Sequence, residues 1–434
     1  MLSVRQIINY KRAFFALSFI LIFTQILPAQ VNSPYSRYGL GDVIPSQNVL
    51  NRAMGGLAIP YNDLQSVNFV NPASYAYLKV TTLDIGVEYT SKTIRSENPP
   101  DKFNSKYLIP TYFQLGLPLS KKKNWGMNIG LRPMTRINYN LSTRTRISDI
   151  DSVFYNYAGN GGSYQVYMGT GFGNKKFSVG FNAGYLFGNK NYSTKVVLIN
   201  DTIPYKNTNS SDSTRFGGIF VNAGALYRIE LKRNTYLRIG ANGSLQNNLK
   251  AFRNISRETF DFSSNTDFDV IDSIYKETEV EGQITYPASF GFGLMLEKED
   301  HWMFGAEINN TLWSNYRYFD QPDALRNSWT IRTGGQVIPN INSKSYWSRV
   351  LYRFGFSFGP DYIDLNQKLN QRLFSVGAGF PLRRTYYTNQ YTSINTTFEF
   401  GARGNKTNAV RENIFKISVG FNLSDIWFNP RKYD

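Results

Sequence analysis

Little in this sequence of 434 residues could carry covalent chemistry. Its one histidine, His301, lies among Glu297, Lys298, Glu299, Asp300 and Trp302, so a serine or threonine nucleophile using an imidazole base would have to be built there. A short polar run of this kind reads as a solvated turn. Cysteine is absent, which removes disulfides, thiolate metal sites and a lipidated N-terminal cysteine. The densest carboxylate cluster is Asp261, Asp267, Asp269, Asp272, Glu277, Glu279 and Glu281. It offers the oxygen ligands that calcium takes, but lacks the glycine-bearing loop of an EF-hand and reads as a solvated external loop. The expectation is therefore no catalytic residue, no metal and no cofactor, and a chain that is not an enzyme.

The elements that would position any site are written in alternation. Phe177, Val179, Phe181, Ala183, Tyr185 and Phe187 interleave with Ser178, Gly180, Asn182, Gly184, Leu186 and Gly188, giving one oily face and one small or polar face at period two. The same writing recurs in Leu83, Ile85, Val87, Tyr89 and in Trp125, Met127, Ile129, Leu131. A soluble sandwich usually closes within roughly 100 to 250 residues, which this chain exceeds. Aromatic residues at 16% and 35 glycines suit strands with aromatic girdles and a slim inner face.

The start of the chain reads as a secretory signal over residues 1–29: Arg5, Lys11 and Arg12 precede an apolar run from Ala13 to Leu27, and Ala29 offers a cleavage point. No later stretch is apolar over the ~18 residues a membrane helix needs, so a membrane protein of this kind must be a barrel. The net charge of +17 is spread over short turns such as Lys121–Lys123, Lys175–Lys176, Lys232–Arg233 and Arg383–Arg384. No basic stripe with interleaved aromatics forms, so nucleic acid is not an expected partner, and anionic membrane headgroups account for the turns.

Fourteen strand candidates follow between residues 81 and 424. Their connections alternate in length: Ser120–Asn124, Asn174–Lys176, Lys232–Thr235 and Lys298–His301 are short, whereas Leu141–Gly162, Asn191–Ser213 and Lys250–Gln283 are long. Tight periplasmic turns and long external loops produce this order, with both chain ends in the periplasm. The fold class expected is all-β: a monomeric 14-stranded antiparallel transmembrane β-barrel over 81–424, an N-terminal hatch over 30–80 that packs in the lumen, and a periplasmic tail over 425–434.

In the hatch, the run Arg52-Ala-Met-Gly-Gly-Leu-Ala-Ile-Pro-Tyr-Asn-Asp-Leu-Gln-Ser-Val-Asn-Phe-Val-Asn-Pro-Ala73 carries Gly55-Gly56, Asn62-Asp63 and Asn71-Pro72-Ala73. It resembles the N-terminal hatch of FadL-type outer-membrane transporters of long-chain fatty acids and aromatic hydrocarbons. Tyr286-Pro287-Ala288-Ser289-Phe290-Gly291, then Trp302 and Leu312-Trp313-Ser314-Asn315-Tyr316, looks like that family's mid-barrel hairpin. The opening Ser33–Gly39 and closing Asp425–Phe428 are similar to the version found in Bacteroidota. Taken alone, Gly55-Gly56 would permit close approach to the wall and Asn71-Pro72 would make a turn; both also read as ordinary turn chemistry.

The resemblance implies residence in the outer membrane of a Gram-negative bacterium, among lipid and lipopolysaccharide, with a hydrophobic ligand passing the hatch and leaving sideways through a gap beside a kinked strand. Pro110 and Pro133, in the second and third strands, would stand nearly opposite and each lacks an N–H donor, which makes them the lateral-gate candidates. The other reading is that both strands have already left the bilayer there. Against transport, Leu141–Gly162 is polar, Lys250–Gln283 is acidic, and no oily capture site is visible. The alternative function is therefore a non-transporting accessory or shuttle subunit of an outer-membrane secretion or protein-assembly machine. A continuous apolar tunnel would favour the first reading, and a lumen blocked by side chains the second.

Overall fold

In a computed structural model the alternating segments pair side by side until the last meets the first. The structure describes residues 33–425 apart from 98–99, 121, 149–150, 201, 263–267, 366 and 383–390. The expected signal over 1–29 and most of the expected tail lie outside the described residues.

Fourteen antiparallel strands form the wall. They are β1 Thr81–Glu97, β2 Pro100–Ser120, β3 Trp125–Ile147, β4 Asp151–Gly173, β5 Phe177–Ile199 and β6 Asn207–Lys232. Next come β7, which runs as Thr235–Ser244 and resumes as Asn247–Phe262, and β8, which runs as Phe268–Tyr286 and resumes as Ser289–Lys298. The wall is completed by β9 Trp302–Thr311, β10 Ser328–Val337, β11 Leu351–Pro360, β12 Asn370–Pro381, β13 Tyr391–Arg403 and β14 Val410–Asp425. Closure is made by β14 on β1, from Val410 opposite Ser96 to Asp425 opposite Thr81.

Burial is inverted relative to a soluble protein. Phe177, Phe181, Tyr185 and Phe187 lie exposed on the outside of β5, whereas Ser178 and Asn182 between them are buried. Inside the wall, Glu88, Gln114, Glu399 and Glu412 are each no more than 2% exposed. A lipid-facing exterior with a polar bore explains this arrangement; in water the apolar exterior would be strongly unfavourable.

The expected long loops are corrected by the ladder. Leu141–Gly162 and Asn191–Ser213 are mostly strand, because β3 pairs with β4 up to Ile147 opposite Asp151, and β5 pairs with β6 up to Val196 opposite Thr208. Within Lys250–Gln283, residues 250–262 and 268–283 are likewise the paired outer parts of β7 and β8. Beyond the bilayer neither face has to be oily, so the period-two signal fades while strand pairing continues through residues that favour it, such as Val153, Tyr155, Val196 and Val197. The short turns stand where expected, with His301 exposed in the β8–β9 turn and its Nδ1 2.9 Å from the Glu299 carbonyl oxygen.

The N-terminal segment from Ser33 to Lys79 occupies the bore. It contains a short 3-10 turn Pro34–Arg37, one helical turn Val49–Arg52 capped by the Asn48 side chain, and a 3-10 helix Pro72–Tyr77. Met54, Leu57, Ile59, Tyr61 and Tyr75 are fully buried within it.

Placing a cation on the outside tests the orientation of the wall. Phe181→Arg is expected to lower stability in bilayers by about 2–4 kcal/mol if the position lies near the midplane, read by denaturant refolding into lipid vesicles. An unchanged midpoint would contradict the lipid-facing assignment.

Candidate functional site

The bore is filled because the wall is slim where the N-terminal segment touches it. A Cβ on Gly355 would lie 2.1 Å from the Gly55 nitrogen, one on Gly180 2.4 Å from the Pro72 carbonyl oxygen, and one on Gly240 2.4 Å from the Ile59 carbonyl oxygen. Backbone therefore lies directly on backbone around the ring. Gly55 itself has φ +71° and contacts Phe356 and Thr333 of β11 and β10, so a side chain there would meet both strain and collision.

Asn71-Pro72-Ala73 is a structural corner. The Asn71 amide donates to the carbonyl oxygens of Ile59 at 2.7 Å, Ala225 at 3.2 Å and Ala241 at 3.3 Å, while its Oδ1 accepts from the Ala73 N–H and caps the 3-10 helix. Asp63 accepts from the Tyr61 hydroxyl and the Gln65 and Ser66 N–H groups, which makes a local turn, and the Asn62 carbonyl oxygen accepts from Arg238. Gly56 sits against Arg332, which is paired with Glu307. These seven residues, Gly55, Gly56, Asn62, Asp63, Asn71, Pro72 and Ala73, thus all belong to the seating of the segment.

A buried charge network completes that seating, and the sequence alone did not single it out. Arg52 bonds Glu88 of β1 at 2.5 Å and also Glu399 of β13, and Lys416 of β14 lies 3.5 Å from Glu88. Asp42 is held by Lys92 at 3.2 Å and Arg403 at 2.8 Å, with Arg403 also on Asp361 at 2.6 Å. Across the bore, Glu307 accepts from the N–H groups of Ala58 and Ile59 at 2.7 Å each. Burial alone would push the Arg52 guanidinium down, but the Glu399 and Glu88 carboxylates hold it above its usual range. Burial would raise Asp42, yet Lys92 and Arg403 hold it well below the usual carboxylate range. The available signal was the set of charged residues at inward positions of alternating strands, where a lone buried charge would be costly and a partner must exist.

Pro110 and Pro133 stand at a seam. The β2–β3 ladder runs up from the turn and ends at Phe113 opposite Leu131; above that, β2 stays paired with β1 and β3 stays paired with β4. Irregularities fall beside each proline, between Gly86 and Val87 on β1 opposite Pro110, and between Pro133 and Thr135 on β3. The vacated edge of β3 is taken by the chain itself: Asp42 and Val43 pair with Arg136 and Thr135, and the Ile44 N–H donates to the Met134 carbonyl oxygen at 2.9 Å.

Above the filled section lies a cavity of about 370 Å³ whose walls include Lys92, Arg132, Arg136 and Glu412 alongside Phe69 and Tyr286. Its lining is mixed and strongly charged. Among the described residues, no group of three or more acidic or histidine side chains could hold a metal ion.

Removing one member of the network leaves charges buried without a partner. Arg52→Ala is expected to cost about 3–5 kcal/mol in the seating of the segment, visible as faster amide exchange across residues 48–60 with the barrel ladder unchanged. The Asp42 contribution carries a pH sign. Because its carboxyl is depressed in the folded chain, its stabilisation is complete above the unfolded value of about 4 and is lost as pH falls through the folded value, an effect Asp42→Asn should abolish in acid titrations.

Solved barrels share this architecture. The CymD monoaromatic hydrocarbon channel aligns at TM-score 0.54 and 13% identity over 90% of this chain and 99% of its own. A FadL homologue from Pseudomonas aeruginosa aligns at 0.57 and 12% over 89% and 100%, and the P. putida toluene transporter TodX at 0.57 and 14% over 88% and 99%. At such identity the likeness establishes the fold alone. No curated protein matches the sequence. A family profile described as BamG, however, matches residues 10–434, and the chain accordingly belongs to the BamG family, carried on a FadL-like barrel.

Proposed function

We propose that this chain is a non-transporting barrel subunit of an outer-membrane protein-assembly or secretion complex, in a Gram-negative bacterium of Bacteroidota type. One observation carries the reading: the N-terminal segment is fastened to β1, β13, β9, β6 and β7 by buried charges and backbone contacts, and the space left above it is charged rather than oily. A hydrophobic molecule crossing such a bore would have to desolvate or displace paired ions, at a cost of several kcal/mol per ion. The match to the BamG family points the same way. In this role the segment acts as a permanent hatch over roughly residues 30–80, and the barrel provides a rigid post in the membrane.

A second reading rests on the seam. The loss of ladder above Phe113 and Leu131 leaves the wall without direct β2–β3 pairing at the height of Pro110 and Pro133, where a hydrophobic small molecule could leave sideways. The hydrocarbon channels and toluene transporters of like fold support it by analogy of architecture.

Purification from native membranes under mild detergent separates the two. The subunit reading expects a complex of fixed stoichiometry and a bore free of apolar ligand by mass spectrometry. A lone barrel that carries a hydrocarbon or fatty acid would overturn it in favour of the channel.

A further inference from the structure

The acidic hairpin of β7 and β8 stands well beyond any bilayer. The outer part of β7 alone is 16 residues long, about 50 Å of strand at ~3.3 Å per residue, and it is added to the 10 residues of Thr235–Ser244 that already suffice to cross the hydrocarbon. On one side β8 pairs with β7 from Phe268 opposite Phe262 to Tyr286 opposite Asn247. On its other side only Ile284 and Thr285 are paired, with Tyr318 and Arg317, and the Gln283 carbonyl oxygen accepts from the Phe319 N–H at 3.0 Å. Among the described residues nothing pairs with the far edge of β8 from Phe268 to Gly282.

That open edge combines backbone hydrogen-bonding groups, apolar side chains and a predominance of negative charge. Every residue from Asp269 to Glu279 is exposed, and Ile274 is 66% exposed, although water and not lipid surrounds this height. Asp269, Asp272, Glu277, Glu279 and Glu281 outnumber Lys276 on this strand in a chain of net charge +17, with Glu279 already paired to Arg215 of β6 and Arg257 of β7 lying over the Tyr275 ring. Sheet edges usually carry lysine or are covered, because an uncovered edge is a template for another strand. Three register shifts along the β7–β8 ladder bend and twist this edge, and like charge opposes its pairing with an identical edge.

We propose that the β8 edge from Phe268 to Gly282 is a docking strand for an extended, lysine- or arginine-bearing segment of a partner protein on the outer side of the membrane. Backbone pairing would supply affinity, and alternating cations over the carboxylates, with small apolar residues beside Val270 and Ile274, would supply selectivity. The inference deepens the subunit reading and rests on it for the existence of a partner.

The full chain in detergent micelles is mixed with a nine-residue peptide alternating valine and lysine, and separately with its valine–glutamate counterpart. The lysine peptide is expected to bind and to slow amide exchange within 268–282, with affinity at least tenfold weaker in the D269N/D272N/E277Q/E281Q variant and no binding of the glutamate peptide. Equal binding of both peptides, protection elsewhere, or self-association through the exposed β3 edge at Arg144 and Arg146 would overturn the proposal. In cells, a chain whose hairpin is cut back to Lys250 and Gln283 should leave its complex. If that shortened chain stays in the complex, the docking strand is wrong while the subunit reading stands; if the intact chain is found alone, the subunit reading fails and the peptide result still decides the edge.

Discussion

A strand in lipid has no water to satisfy its N–H and C=O groups, so the wall must close on itself, and β14 must meet β1. Everything else in the molecule follows from that closure. Once the ring exists, each strand has a lipid side and a bore side, and the period of two sends Phe181 and Tyr185 outward while Asn182 and Ser178 turn inward. The inversion of burial is therefore a consequence of hydrogen bonding as much as of hydrophobicity.

Closure at fourteen strands leaves a bore too wide for wall side chains alone to fill. The N-terminal segment fills it, and two kinds of contact hold it there. Glycines such as Gly355, Gly180 and Gly240 let backbone rest on backbone, and paired charges such as Arg52 with Glu88 and Glu399 fix the register across the ring. The ion pairs contribute specificity of seating more than net stability, since each charge had to leave water. Their arrangement makes the segment part of the wall's structure.

Two places depart from the closed ladder, and each is managed differently. At the β2–β3 seam the chain supplies a two-residue pairing strand, Asp42–Val43, anchored by Lys92 and Arg403, and the β3 edge beyond it has no pairing strand among the described residues. At the β8 edge above the barrel no such cover is present among the described residues, and carboxylates stand beside exposed isoleucines. A seam covered in cis over two residues and an edge with no cover in cis both come from strands that outrun their neighbours.

Alternation of residue type was sufficient to fix the class of fold, the number of strands and the position of the tight turns, because a wall between lipid and a polar bore imposes the same two-faced pattern wherever the bilayer is crossed. The Gly55-Gly56 and Asn71-Pro72-Ala73 motifs were likewise legible as turns that approach the wall. Where β3 to β8 rise past the membrane the pattern vanished, so Leu141–Gly162, Asn191–Ser213 and Lys250–Gln283 read as loops although their ladder continues. Nor could periodicity reveal that Arg52 reaches Glu399, 347 residues away, or that Asp42 pairs beside Arg136. Those partners are chosen only when the ring closes and brings opposite walls onto one segment, since pairing of buried charges depends on distance in space and leaves no period in the chain.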